Sequence, residues 1–209
     1  NQTIFYTKID PQTLRSYRIY RHQLGTSTKE DVLVFHEKDE TFNTGIFKSK
    51  SERFLIIQSD STLSSESRFL EAATPTGEFK IFQPRERGLE YDIAHYGDFF
   101  YVLNNAEGAT NFKLDKTPIE KTEKAYWKPV IPHQEAIRLE EIDIFKEYLV
   151  VTQRYNGLSQ IRIIRWDGQG EHYLPFDNET YTASTGLNLD FDTEILRYTY
   201  NSMTTPYSV

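Results

Sequence analysis

The feature that most restricts what this chain can fold into is a repeat. Four kinds of strand-forming segment recur in the same order about every 47 residues. The first kind covers residues 42–49, 90–96, 138–145 and 183–190. The second and most apolar kind covers 53–58, 98–103, 147–152 and 194–200. The third covers 67–72, 111–116 and 160–166, and the fourth 79–84, 127–132 and 172–176. Breakers separate first from second each time: Lys50-Ser51-Glu52, Gly97-Asp98, Lys146-Glu147 and Asp192-Thr193-Glu194. Residues 82–105 show the spacing at its tightest, with strand, turn, strand, turn and strand in succession and no room for a helix.

Four strands per unit at a period of about 40–50 residues is the pattern of β-propeller blades. The cause is burial, because a lone four-stranded sheet cannot cover both of its faces and must stack on its neighbours. Phe54-Leu55-Ile56-Ile57 and Phe99-Phe100-Tyr101-Val102-Leu103 are apolar at successive positions, as a strand buried on both faces requires. The third segments alternate, as in Lys113-Leu114 and Arg162-Ile163, and the fourth are short and end near Pro84, Pro132 and Pro175. Proline has no N–H to donate and is tolerated at a sheet edge. The gradient from apolar to alternating to proline-ended runs from axis to rim of a blade.

The predicted fold is therefore all-β, a partial β-propeller of antiparallel four-stranded blades. Blades are expected at 41–88, 89–136 and 137–180. A partial blade at 1–40 supplies segments 4–9, 17–24 and 31–37, which fit the second to fourth kinds, and another at 181–209 supplies a first and a second. A propeller that begins and ends within a blade is expected to be a piece of a larger protein. The alternative is a compact five-bladed ring closed by pairing the first and last strands.

Composition agrees with strands. The 209 residues include 14 Tyr and 14 Phe but one Met, and ring side chains favour strands. No segment approaches the roughly 20 consecutive apolar residues of a membrane-spanning helix. The net charge is -7, with basic residues scattered along the sequence, which argues against a nucleic-acid partner. Cysteine is absent, excluding disulfides, thiolate metal sites and a cysteine nucleophile. A cysteine-free chain fits a reducing compartment, so the cytoplasm is expected, with the periplasm as the alternative. The acceptor patterns at Asn1 and Asn178 are read as chance matches.

The motifs of common chemistries are missing. The five histidines (His22, His36, His95, His133, His172) form no HExxH, and no metal or cofactor is implied. His95 is read as a structural residue, hydrogen-bonding at a turn. Asp98, Glu147, Asp192 and Glu194 recur at turns. Propeller glycosidases place paired carboxylates near the axis, but solvated turn residues account better for these. Glu140-Glu141-Ile142-Asp143 lies on an axis-side segment and would make a channel lining acidic. Residues 115–124 read as a solvated charged loop, and Gly168-Gln169-Gly170 as a hairpin turn. Trp127 and Trp166 are expected to pack between blades.

Several stretches carry a family resemblance. They are Phe82-Gln83-Pro84-Arg85 with Glu90-Tyr91 and His95-Tyr96, then Asn111-Phe112-Lys113-Leu114 and Ile131-Pro132. Leu139-Glu140 with Ile144-Phe145, Tyr148-Leu149-Val150-Val151, and Arg154 with Asn156-Gly157-Leu158 continue the series. Leu196-Arg197-Tyr198 and then Ser202-Met203-Thr204-Thr205-Pro206 complete it; strand propensity does not dictate the order of that last run. Through them nearly the whole chain resembles the N-terminal propeller of the prolyl oligopeptidase family of serine peptidases, most closely its oligopeptidase B (protease II) branch. The resemblance implies a seven-bladed propeller lying as a lid over an α/β-hydrolase domain with a Ser-Asp-His triad, admitting only oligopeptides. For that branch it also implies cleavage after Lys or Arg, through acidic residues of the hydrolase domain.

The nucleophile elbow G-x-S-x-G occurs nowhere in this chain. No catalytic residue can be carried over, and the segment is expected to be inactive alone, with its own hydrolase domain as partner and oligopeptides as the parent's substrate. Arg85, Glu86 and Arg87, ahead of a first-kind segment, are the candidate interdomain contacts, on the face that meets the hydrolase domain in the resembled family. Open blade edges raise the prospect of self-association. Two other readings stand beside this one: a stand-alone propeller scaffold for protein binding, and a small glycosidase-type propeller.

Overall fold

In the computed structural model, which describes residues 2–209, the chain is all-β apart from three single-turn 3-10 segments. Five antiparallel sheets follow one another in chain order. The first holds β1 (Thr3–Ile9), β2 (Ser16–Gln23) and β3 (Val32–His36). The second holds β4 (Asn43–Lys48), β5 (Phe54–Asp60), β6 (Ser65–Glu71) and β7 (Lys80–Ile81). The third holds β8 (Tyr91–Tyr96), β9 (Phe99–Asn104), β10 (Lys113–Pro118) and β11 (Lys128–Ile131). The fourth holds β12 (Ile137–Ile144), β13 (Tyr148–Tyr155), β14 (Leu158–Arg165) and β15 (Glu171–Tyr173). The fifth is a pair, β16 (Tyr181–Thr185) and β17 (Tyr198–Ser202). Every sheet is a simple meander, as expected for propeller blades.

The chain divides into two compact units. One runs through Asp92 and includes Thr122–Ala125; the other holds Ile93–Lys121 and Tyr126–Val209. In the first unit β1 and β2 lie against β4. Its core is a file of rings: Phe54 on Phe69 (5.7 Å), Phe69 on Phe82 (6.2 Å) and Phe82 on Tyr91 (5.9 Å). Phe54 and Phe82 are wholly buried, each contributing about 1.5–3 kcal/mol of hydrophobic burial. The Tyr91 hydroxyl accepts from the Ser67 amide and donates to the Gln83 carbonyl. Burial pushes its pKa up to about 12.

In the second unit Leu103, Leu114, Leu139, Leu149 and Val151 form one buried cluster. Beside it Trp166 stacks on Tyr96 at 4.3 Å and donates its indole N–H to the Phe145 carbonyl. Phe145, Val150, Ile161 and Ala183 form another cluster, covered by Phe176, Tyr181 and Tyr200. β9 is buried at every position but its first, and β5 and β13 carry buried runs at 56–59 and 149–153, as continuous apolar runs demand. The turn between β13 and β14 is Asn156-Gly157 with φ of 48° and 80°, the left-handed pair of a two-residue hairpin.

The fifth sheet departs from the expected strands at 183–190 and 194–200. β16 stops at Thr185 and β17 starts at Tyr198. Gly186 still donates to the Arg197 carbonyl, and then the Asn188 side chain takes over the pairing. Its amide donates to the Gly186 and Arg197 carbonyls, and its oxygen accepts from the Arg197 amide at 2.8 Å. A side chain that bonds backbone groups locally competes with the ladder. β7 is also shorter than the expected 79–84. Phe82 still donates to Ser67, but Pro84 has no N–H, and the Gln83 side chain turns to Glu86.

The expectation of a solvated loop over 115–124 is corrected at its start. Asp115 and Thr117 lie in β10 and are buried. The Asp115 carboxylate is satisfied by the Asn104 amide at 2.9 Å and lies 3.4 Å from the Lys113 ammonium, which is how a charged residue sits inside a sheet.

Candidate functional site around Arg85

Three adjacent charged residues, Arg85, Glu86 and Arg87, follow the proline that ends the second sheet. The chain turns there because Leu89 donates to the Glu86 carbonyl and Gly88 adopts a φ of 86°. The Gly88 amide donates to the Ser64 hydroxyl, and Leu89 accepts from the Ser65 amide, pinning the turn to the start of β6.

Arg85 points inward. Its guanidinium lies over the Phe42 ring at 3.6 Å and donates to Glu37 Oε2 at 2.7 Å. Glu66 Oε1 is 3.5 Å away and Asp39 Oδ2 3.8 Å. Glu37, just past β3, is 4% exposed, and Glu66, in β6, is 8% exposed. One cation therefore joins the exit of the first sheet to the second. The acceptors around it are braced in turn, although Arg85 Nε is itself buried without a hydrogen-bond partner. Glu37 Oε1 accepts from the Asp39 amide at 3.0 Å, and Glu66 accepts from Arg68 at 2.8 Å. Arg68 covers the Phe35 ring at 4.7 Å. Arg15 donates to the backbone carbonyls of Glu37, Asp39 and Phe42. Burial by itself would raise the Glu37 carboxyl, but the Arg85 and Asp39 hydrogen bonds outweigh it and hold the pKa below its ordinary value. Burial opposes the Arg85 charge as well, and Glu37 reverses that and raises it.

Glu86 is tied locally. It accepts from the Gln83 amide at 2.9 Å and pairs with Lys124, whose backbone N–H donates to the Gln83 oxygen. Arg87 is exposed, and among the described residues it has no ion pair or hydrogen bond. The three neighbours thus divide into an internal clamp, a local brace and an outward cation. Sequence reasoning missed Glu37, Glu66 and Arg68, the acceptors and support of the clamp. They lie 48, 19 and 17 positions from Arg85, and no local pattern links them.

The other expected residues fall as follows. His95 sits in β8, buried edge-on against Phe100 at 5.5 Å. His22 is paired with Asp31 at 2.6 Å, and Asp31 also accepts from the Tyr6 hydroxyl. Glu140 is held by Arg154 at 2.8 Å and Glu141 by Thr185 at 3.2 Å. Asp192 pairs with Lys146. The Asn178 amide is spent on Tyr200 and Ser202, while Asn1 lies outside the described residues. No group of three or more metal-ligating side chains occurs among the described residues, and no helix among them is long and apolar enough to cross a membrane.

With this geometry in place, comparison with known proteins is direct. The family model described as "Prolyl oligopeptidase, N-terminal beta-propeller domain" matches residues 1–209. The chain is 40% identical over 205 residues to dipeptidyl aminopeptidase BI of Pseudoxanthomonas mexicana, covering 98% of this chain and 28% of that protein. It is 32% identical over 203 residues to protease 2 of Moraxella lacunata, covering 97% and 29%. Among solved structures, oligopeptidase B from Trypanosoma brucei in its closed form with covalently bound antipain superposes with a TM-score of 0.91 at 27% identity, covering 99% of this chain and 30% of that one. Oligopeptidase B from Leishmania major gives 0.89 at 27% identity, with the same coverage. The chain thus spans less than a third of the length of the relatives it matches.

Proposed function

Since the chain belongs to the prolyl oligopeptidase family, as part of its N-terminal β-propeller domain, we propose that it is the non-catalytic, substrate-gating part of a serine oligopeptidase. The observation that carries this is the family match along all 209 residues of a chain that contains no G-x-S-x-G. Gating would be steric and electrostatic. In a complete propeller the stacked blades would leave a narrow axial passage that excludes folded proteins. Acidic groups such as Glu141, bonded to the Thr185 hydroxyl while its neighbour Glu140 is paired with Arg154, would draw basic peptides toward it. The blades are taken as 41–88, 89–136 and 137–180 between partial blades at 1–40 and 181–209. We propose cleavage by the parent after Lys or Arg, as the resemblance to the oligopeptidase B branch implies; the likeness to protease 2 and oligopeptidase B supports that reading. The parent is placed in the cytoplasm, or else the periplasm.

We assign the contact with the hydrolase domain first to Arg87, which has no ion pair among the described residues, with Glu86 and Arg85 behind it. An arginyl chromogenic peptide separates the readings. This chain alone should give no turnover, and the full-length enzyme should cleave that peptide while sparing a folded protein containing the same bond. Turnover by the isolated chain, or cleavage of both substrates at similar rates by the full-length enzyme, would refute the gating role. The 40% identity to a dipeptidyl aminopeptidase makes a dipeptide-releasing substrate the natural comparison in that assay.

A further inference from the structure

Strand β12 carries its apolar residues out of step with a regular strand. Side chains on one face recur every second position. Yet Ile137, Leu139, Ile142 and Ile144 all pack into the cluster shared with Leu103 and Leu114 of the third sheet. The step of three between Leu139 and Ile142 is a β-bulge: Leu139 pairs with Gln153 and Glu141 with Thr152, which leaves Glu140 as the extra residue. Without the bulge Glu141 would point into that apolar cluster. With it, Glu140 and Glu141 both project on the opposite side, where Val150 and Ile161 meet Ala183 of β16. Bulges re-aim side chains in this way. A neighbouring sheet packs on each side of β12 and β13, so these carboxylates do not belong to an uncovered sheet face. Their surroundings differ. Glu140 is gripped by Arg154 through Nε at 2.8 Å and Nη2 at 3.3 Å. Glu141 is exposed and accepts from the Thr185 hydroxyl at 3.2 Å, and no cation pairs with it among the described residues. Directly across from it, Thr152 is 5% exposed, and its hydroxyl oxygen is buried with no hydrogen-bond partner. Side chains directly opposite in an antiparallel pair lie on the same face. The unused hydroxyl is therefore aimed at the same place as the Glu141 carboxylate.

We propose that Glu141, Thr152 and Thr185 form a subsite for a primary ammonium group of a peptide, either its N-terminus or a lysine side chain. The acceptors choose the ligand. An ammonium group has three N–H donors and no acceptor, and one carboxylate with two hydroxyl oxygens offers one acceptor to each. A guanidinium prefers the two-point grip on a carboxylate, and at this bulge Arg154 already has that grip on Glu140. A divalent cation needs more oxygen ligands than these three side chains supply, and no group of three or more metal-ligating side chains occurs among the described residues. The proposal rests on the peptidase reading only in taking the ammonium to be a peptide's.

The test is equilibrium binding to the full-length enzyme, followed by fluorescence anisotropy. The probes are labelled peptides of Gly and Ser: one with a free α-amine, one N-acetylated, and one N-acetylated with a single Lys added. The free-amine peptide should bind about tenfold more tightly than its acetylated form. That advantage should vanish as pH rises past the amine pKa of about 8. Glu141→Gln should abolish it at neutral pH. Thr152→Val should weaken it while leaving thermal stability unchanged or higher, a pairing of effects that a merely structural hydroxyl would not give. The Lys peptide identifies the source. Binding like the free amine adds the side chain as a ligand, and binding like the acetylated form assigns the subsite to the N-terminus. Equal binding of all three peptides, or a preference that survives both substitutions, would overturn the proposal. Neither result bears on gating, which is judged by whether the full-length enzyme spares the folded protein.

Discussion

Two seams within the molecule solve one packing problem with opposite chemistry. Between the first and second sheets the fastening is ionic: Arg85 reaches a buried Glu37 and a buried Glu66 and lies on the Phe42 ring. Between the third and fourth sheets it is apolar: Leu103, Leu114, Leu139, Leu149 and Val151 interlock, and Tyr96 stacks on Trp166. The contrast teaches that repeat geometry does not dictate the chemistry of each joint. An apolar seam holds at any ordinary pH. An ionic seam holds only while its carboxylates are charged, and a buried ion pair stabilises less than it penalises the loss of one partner.

The largest expected effect breaks the apolar seam. Leu149→Ala should cost about 2–5 kcal/mol in urea unfolding, by the same amount at pH 7 and pH 4.5. A cost that changed markedly with pH would contradict the contrast. Next comes Arg85→Ala, expected to cost about 2–4 kcal/mol at pH 7 because Glu37 is left buried and unpaired. The folded-state pKa of Glu37 is lowered, so its contribution is present above the unfolded carboxylate value and lost as pH falls through the folded one. Arg85→Ala and the parent chain should therefore converge in acid, and a constant gap would refute the clamp.

Smaller again is Tyr91→Phe, expected to cost about 1 kcal/mol, since it leaves the Ser67 amide without its acceptor. Tyr91 itself has a raised pKa, so its share of stability is intact below pH 10 and disappears as pH climbs through about 12. Ultraviolet titration should show a phenol ionising in that range that is missing from Tyr91→Phe. The smallest effect is Arg87→Glu, within about 0.5 kcal/mol of the parent chain in thermal unfolding. In the full-length enzyme the same change should alter peptide kinetics or the scattering profile. If neither moves, Arg87 is not a domain contact.

Much of the architecture was legible in the sequence because burial writes itself into periodicity. Runs such as Phe99-Phe100-Tyr101-Val102-Leu103 can be satisfied only between two layers, and the structure buries them there. The fifth sheet was harder to read. Strand propensity over 183–190 and 194–200 says nothing of an asparagine whose side chain imitates a backbone rung. The Arg85 site was half legible. The charged turn stood out beside its proline, but the inward direction of Arg85 depends on Glu37 and Glu66, brought near by strand pairing alone.

The Asn188 rung carries a consequence for the time scale on which this end of the chain opens. Its side-chain oxygen holds the Arg197 amide although Arg197 belongs to no strand. Solvent deuterium should therefore enter the amide of Leu196 quickly and that of Arg197 slowly, a single protected proton at the edge of a rapidly exchanging loop. Breaking one side-chain contact, rather than melting a ladder, would release it, so the fifth sheet can lengthen or shorten by a residue at small cost.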